Sequence, residues 1–390
     1  MVIDDDLYRG REQSRVKHEI LRRYLESFAH IVGFRWPSIT YIDGFSGPWN
    51  ARSDDLADTS FSIALNELRR ARDTHQASGR RLKIRCLFVE KDAAAYRRLK
   101  EFADSAADDV EIRTICGEFE DAIPEVIEFV RMGADTFPFI LIDPTGSSGF
   151  RMQVIRPLLE LHPGEVLVNF ILEFIRRYIE QVGLREGLSE LFGTDDFDEH
   201  LGNLSGIERD DAITEKYCSC LGRFCGYPYV LRASILHPDQ DRLYFQLIYA
   251  TRHTKGVEVF KKAEAQAMAS QEKYRAQVEE RRKLTGGQTS FLSADDMPES
   301  QFYVDLRHRY RHRARVAVVS HVNERRHALY DDLWIVALSF PMVWESDLRE
   351  WLREWRDKGL VEWSGLAPRG RELIHGKNHS VSLKSTTLEI

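Results

Sequence analysis

Four acids close four successive apolar runs of this chain: Asp43, Glu90, Glu118 and Asp143. The first opens the loop Asp43-Gly44-Phe45-Ser46-Gly47-Pro48, where a carboxylate can hold a ligand ammonium and Gly44 and Gly47 let a ligand approach the backbone closely. Glu90, at the end of Phe88-Val89-Glu90, can accept both hydroxyl hydrogens of a ribose. In Cys116-Gly117-Glu118 an acid or a backbone amide can meet an adenine edge, and Asp143 leads into Pro144-Thr145-Gly146. Any one of these acids alone reads as a helix N-cap or a solvated turn. Together they mark the carboxyl ends of parallel strands, where ligands settle in open α/β sheets.

The elements that must position them are legible in the hydropathy pattern. Val16, Ile20, Leu21, Tyr24, Leu25, Phe28, Ile31 and Val32 recur with the 3.6-residue period of a helix over residues 14–33, stopped by Gly33 and Pro37. Strand-like runs Ile39–Asp43, Ile84–Glu90, Val110–Cys116, Phe139–Asp143 and Val166–Ile171 then alternate with helical segments such as Asp58–Arg72 and Ala93–Ala103, which predicts a parallel sheet covered by helices. Two further β-rich runs, Tyr229–Leu236 and Arg242–Ala250, flank a link short enough for an antiparallel hairpin, giving seven strands. A helical insertion is expected over residues 172–226, and 255–284 reads as a charged, exposed helix.

A boundary is expected at Thr285-Gly286-Gly287-Gln288-Thr289-Ser290, dividing a domain of residues 1–284 from a linker, 285–300, and a C-terminal domain, 301–390. The tail orders helix, turn at Phe340-Pro341, helix 347–358, Gly359 and the strand Leu360–Trp363, the sequence of a winged helix. An amphipathic helical hairpin fits that pattern equally well. Just before it, Arg307–Arg315 is the densest basic run; Arg309, Arg311 and Arg313 are candidate phosphate contacts, against the alternative of a solvated or ion-paired helix face.

Composition sets bounds. With 390 residues, 43% of them hydrophobic, the chain is a globular protein of two or three domains, and a net charge of -7 excludes a uniformly basic surface while leaving room for a local basic face. Five cysteines are too few for a disulfide scaffold, no apolar run spans a bilayer, and the opening residues lack a signal-peptide pattern, so a cytoplasmic location is the default expectation. Cys218, Cys220 and Cys225 lack a fourth ligand at zinc spacing and read as part of a helix; no metal is expected.

The chain resembles the three-Cys-motif partner proteins (TcmP) over most of its length. The resemblance rests on Lys17-His18 with Tyr24-Leu25, on Tyr41 to Pro48, on Phe88-Val89-Glu90, on Leu141 to Gly146, on Tyr249 to His253, and on Asp347-Leu348 through Gly359. It implies an α/β, Rossmann-like class I methyltransferase fold with a seven-stranded mixed sheet, a helical insertion and a C-terminal winged-helix-like region, and S-adenosylmethionine (SAM) as cofactor. It implies that Asp43, Gly44, Phe45 and Gly47 line the methionine end of SAM, Glu90 the ribose and Glu118 the adenine, with Lys17 reaching the cofactor carboxylate. By likeness to enzymes that methylate adenine N6, Asp143 and Pro144 would accept hydrogen bonds from a target amino group of a nucleic-acid base, RNA or DNA. The chain departs from that motif at Thr145-Gly146, where a second proline and a base-stacking aromatic usually stand; Phe150, Phe174 or Tyr178 could stack instead. The family name implies the other reading, an interaction partner for a radical-SAM-like three-Cys-motif protein, with or without SAM bound.

Overall fold

Each apolar run ending near an acid is a strand. The computed structural model describes residues 5–48, 51–106, 109–144, 151–197, 201, 203–285, 299–367, 370–384 and 387–389. Its strands β1 Ser38–Asp43, β2 Lys83–Glu90, β3 Glu111–Cys116, β4 Thr136–Ile142, β5 Glu165–Ile171, β6 Tyr229–Leu236 and β7 Leu243–Thr251 form a seven-stranded sheet in the order β3-β2-β1-β4-β5-β7-β6. The first five are parallel, and β7 runs antiparallel to β5. This is the mixed sheet of a Rossmann-like class I methyltransferase fold, as expected.

Register explains why the acids converge. Asp43 lies opposite Phe88 of β2 and Leu141 of β4, so Glu90 and Asp143 each stand two residues beyond it at the same edge. Glu90 in turn lies opposite Cys116, two residues before Glu118. The strand order reverses between β1 and β4, which opens a crevice at their carboxyl ends.

Helices α1 Glu12–Gly33, α2 Ser60–Ala77, α3 Ala93–Ala106, α4 Phe119–Met132 and α5 Met152–Leu159 cover the sheet. Right-handed crossovers put α2 and α3 on one face and α4 and α5 on the other. The expected insertion is three helices, α6 Leu172–Val182, α7 Leu184–Phe192 and α8 Gly206–Cys225. On α8, Cys220 and Cys225 are buried, and burial pushes the Cys225 thiol up to about 12, the behaviour of a packed hydrophobe.

Helix α9, Thr254–Thr285, differs from the sequence expectation. Its weak periodicity and high charge read as an exposed helix, yet it packs on α1 and buries Val257, Phe260, Ala263, Ala267 and Met268. The charges that blur its pattern are themselves buried in pairs: Lys261 bonds to Glu264 at 2.5 Å, with side chains 4% and 0% exposed. Beneath α1 and α9 the Glu165 carboxylate is also buried, accepting hydrogen bonds from Tyr24 and, at 2.7 Å, from Thr251. Burial raises the pKa of Glu165.

The chain divides into two compact units, one of Met1–Val230 with Ser234–Ala294, the other of Asp295–Ile390 with Leu231–Ala233. Most of the expected linker, residues 286–298, lies outside the described residues. The second unit contains α10 Gln301–Arg325, β8 His327–Leu329, α11 Tyr330–Leu338, α12 Glu345–Asp357, β9 Val361–Ser364 and β10 Ser380–Leu383. Its strands pair antiparallel in the order β8-β10-β9. Trp334, Leu348, Trp351 and Trp355 supply large buried side chains to its core, each contributing about 1.5–3 kcal/mol through burial. The Gly359 backbone has φ 72°, a left-handed conformation suited to the stop of α12.

Candidate functional site

The β1 loop is built on its acid. Asp43 is fully buried; its Oδ1 accepts the Phe45 backbone N–H at 3.0 Å and its Oδ2 accepts the Ser60 hydroxyl at 2.6 Å. The loop is further pinned by Gly44 N–H to the Leu141 carbonyl at 3.1 Å and by Ser46 N–H to the Val89 carbonyl at 2.8 Å, tying it to both neighbouring strands. Asp43 does not itself border either of the two cavities at this edge; its carboxylate holds the loop and the start of α2.

Burial pushes the Asp43 pKa up to about 6, opposed by its hydrogen bonds to Ser60 and Phe45. A carboxyl whose folded-state pKa lies above its unfolded value contributes stability that is full below about pH 4 and lost as pH rises through about 6. Asp43→Asn removes that titration while keeping polar partners for Phe45 and Ser60. The unfolding free energy of the native chain minus that of Asp43→Asn is therefore expected to fall by about 3 kcal/mol between pH 4 and pH 7. Denaturant titrations across that range check it; a difference independent of pH would show that Asp43 titrates normally.

The larger cavity at this edge, about 300 Å³, is bordered by Lys17, His18, Gly47, Asp143, Pro144 and Asn169. Lys17, reaching across from α1, forms a salt bridge with Asp143 Oδ2, and Asn169 of β5 donates to Asp143 Oδ1 at 2.6 Å. Each carboxylate oxygen retains a second acceptor direction. Lys17 thus borders the crevice, with its ammonium engaged by Asp143. His18 hydrogen-bonds to Tyr8 at 2.8 Å, and burial holds its pKa well below the usual value, so its ring stays neutral beside the cavity. Arg11, on the same wall, pairs with the buried Asp58.

Two of these residues escaped the sequence reading as functional groups. Asn169 left a signal, a polar side chain within the apolar run Val166–Ile171; such a residue in a buried strand needs a polar partner. His18 entered only as part of a motif. Among the proposed stacking aromatics, Phe174 borders the cavity, whereas Tyr178 is hydrogen-bonded to Glu190 of α7. Phe150 and Thr145-Gly146 lie outside the described residues.

Gly44, Phe45, Glu90 and Glu118 meet around a second, much smaller cavity of about 20 Å³. Glu90 is buried and accepts the Asp92 backbone N–H at 2.6 Å, whereas the Glu118 side chain is 50% exposed and pairs with Lys91 at 3.3 Å. The Phe45 and Phe119 rings, 5.3 Å apart between centroids, both border this cavity. Phe45 borders both cavities and stands between them.

In the second unit the basic run of α10 divides by helical face. Arg307 and Arg311 bond to Asp347 at 3.2 and 2.9 Å, Arg311 also to Glu350 at 3.0 Å, and Arg315 to Glu354 at 2.9 Å. Arg311 therefore belongs to an ion-paired face against α12. Arg313 lies over the Phe340 ring at 5.8 Å, and Arg309 is half-buried.

No protein-family model and no curated protein sequence matches the chain. Solved structures similar in part include cofactor-bound Rv0187 from MTB, at 10% identity and a TM-score of 0.30, covering 60% of this chain and 79% of that one. Another is the O-methyltransferase from Bacillus cereus in complex with SAH, at 14% identity and a TM-score of 0.29, covering 59% of this chain and 80% of that one. At such scores the likeness carries no weight, and it is the strand order with the antiparallel seventh strand that identifies the fold.

Proposed function

We propose that the first unit is a SAM-dependent methyltransferase whose acceptor is an amino group of a nucleic-acid base presented to Asp143. The observation that carries this reading is the Lys17–Asp143–Asn169 cluster bordering an open cavity at the point where strand order reverses. The chain's own residues fit the cofactor chemically: Gly47 and Lys17 border the cavity that suits a methionine arm, and the buried Glu90 suits a ribose diol. Bound SAM would supply an electrophilic methyl group. Asp143 would accept hydrogen bonds from the target NH₂ with its remaining lone pairs, raising nitrogen nucleophilicity without removing a proton beforehand. Lys17 and Asn169 would fix the carboxylate in place, and Pro144, which borders the cavity, would offer its carbonyl as the second acceptor.

Calorimetry of the full chain with S-adenosylhomocysteine (SAH) tests the cofactor premise, with one equivalent bound per chain as the expected result. No heat of binding would remove it. Methyl-group transfer from labelled SAM to RNA or DNA tests the acceptor; label appearing only in proteins or small hydroxyl compounds would exclude the base. A binding role without transfer, as partner to a radical-SAM-like protein, predicts SAH binding with no labelled product from any of these acceptors.

A further inference from the structure

Outside the crevice lies a larger cavity of about 470 Å³, between the start of α1, the β6–β7 turn and the end of α9. It shares Gln13 and Tyr244 with the crevice, so the two spaces meet at these side chains. The cations differ between them. Inside, Lys17 is matched by Asp143 and Arg11 by Asp58. Outside, Arg281 is matched by Glu12, but Arg9 and Arg282 have no hydrogen bond or ion pair among the described residues.

Arg9 and Arg282 are exposed, and a guanidinium not engaged by a carboxylate is open to bidentate contact with a phosphate. The junction carries a different chemistry. Tyr244 is half-buried and offers a ring to stack on, while Gln13 Oε1 is a buried acceptor with no partner, suited to an N–H on the edge of a base. Anion sites outside, a stacking ring and an amide at the neck, and a carboxylate inside form a path for a nucleotide. A free carboxylic acid or a phosphopeptide would use the arginines but not the neck.

We propose that this outer cavity recognises phosphate, with Arg9 and Arg282 holding the backbone of a single-stranded or flipped-out nucleotide whose base passes Gln13 and Tyr244 towards Asp143. The inference rests on the base-methylating reading above and adds how the substrate is held.

Fluorescence anisotropy of labelled single-stranded RNA and DNA oligonucleotides, titrated with the full chain at a series of KCl concentrations, tests it. The double variant Arg9→Ala/Arg282→Ala is expected to bind at least tenfold more weakly, with the slope of log K against log salt reduced by about 1 to 2, as two lost phosphate contacts require. Arg9→Lys/Arg282→Lys is expected to retain most of the slope, and Tyr244→Ala to weaken binding while leaving the slope unchanged. Circular dichroism and SAH calorimetry on each variant separate unfolding from lost contact. SAH binding that fails while the arginine-dependent slope persists would sink the cofactor premise and leave this vestibule standing. No oligonucleotide binding by the native chain at low salt, or an unchanged slope in the double variant, would overturn it. So would a loss of binding that follows Arg309→Ala/Arg313→Ala instead.

Discussion

Replacing Asp143 with alanine is expected to lower methyl transfer by about 10²- to 10⁴-fold while SAH remains bound. The carboxylate is held from two sides, by the Lys17 ammonium and the Asn169 amide, and such fixation is what transition-state positioning requires. Alanine removes the acceptor and leaves Lys17 in the crevice without its partner, so the variant also tests whether Asp143 serves only to neutralise that lysine. Asp143→Asn keeps an oxygen acceptor and loses the charge; Lys17→Met/Asp143→Asn removes both charges together. If charge matching were the whole role, the double variant would recover activity lost in Asp143→Asn. Activity that stays low in both, with normal SAH heats, assigns the carboxylate to the acceptor. Activity and SAH binding lost together in Asp143→Ala would make it a structural anchor of the cofactor crevice.

The sheet was legible because each strand announces itself twice, by a short apolar run and by the polar residue that ends it. Ile39–Asp43 and Ile84–Glu90 were placed within a residue of their observed limits, since buried strands of a parallel sheet are apolar on both faces and stop where the chain meets solvent or ligand. Convergence of the acids follows from parallel register alone. Which way each acid faces does not. Asp43 and Asp143 both end central strands, yet one turns into its own loop to satisfy Phe45 and Ser60, and the other meets Lys17 above the crevice. That choice depends on partners 17 and 126 residues away, beyond the reach of local pattern.

Helix α9 failed for a related reason. Periodicity assumes that charged residues face water, but Lys261 and Glu264 neutralise one another inside, so the pattern of buried positions on α9 includes polar letters. The basic run of α10 shows the same limit from the other side. Nine residues dense in arginine look like one electropositive surface in sequence, whereas the i, i+4 spacing of Arg307, Arg311 and Arg315 collects one row of them against the acids of α12.

Gly44→Ala is expected to weaken SAH binding by about 10- to 100-fold, the equivalent of overpacking by roughly 1–3 kcal/mol falling on the bound state. A Cβ at Gly44 would lie 2.7 Å from the Phe119 ring, closer than packed carbons tolerate. The backbone there cannot readily withdraw, because Gly44 N–H is bonded to the Leu141 carbonyl and Ser46 N–H to the Val89 carbonyl. The ring must yield instead, and it borders the small cavity beside Glu90 where an adenosine would need room. Phe45→Ala acts in the opposite sense on the same space. Since Phe45 stands against Phe119 at 5.3 Å, trimming it opens the slot and relieves the population cost of a closed site, so SAH is expected to bind as tightly as in the native chain or more so. The double variant Gly44→Ala/Phe45→Ala should regain part of what Gly44→Ala loses, because the displaced Phe119 ring then has somewhere to go. Calorimetry on the three variants, with thermal melts to confirm folding, decides the matter. Equal SAH affinity in all of them would separate this pair of cavities from the cofactor and leave the Asp43 loop a structural turn. Loss of affinity in Phe45→Ala as severe as in Gly44→Ala would make the Phe45 ring a wall of the adenosine site.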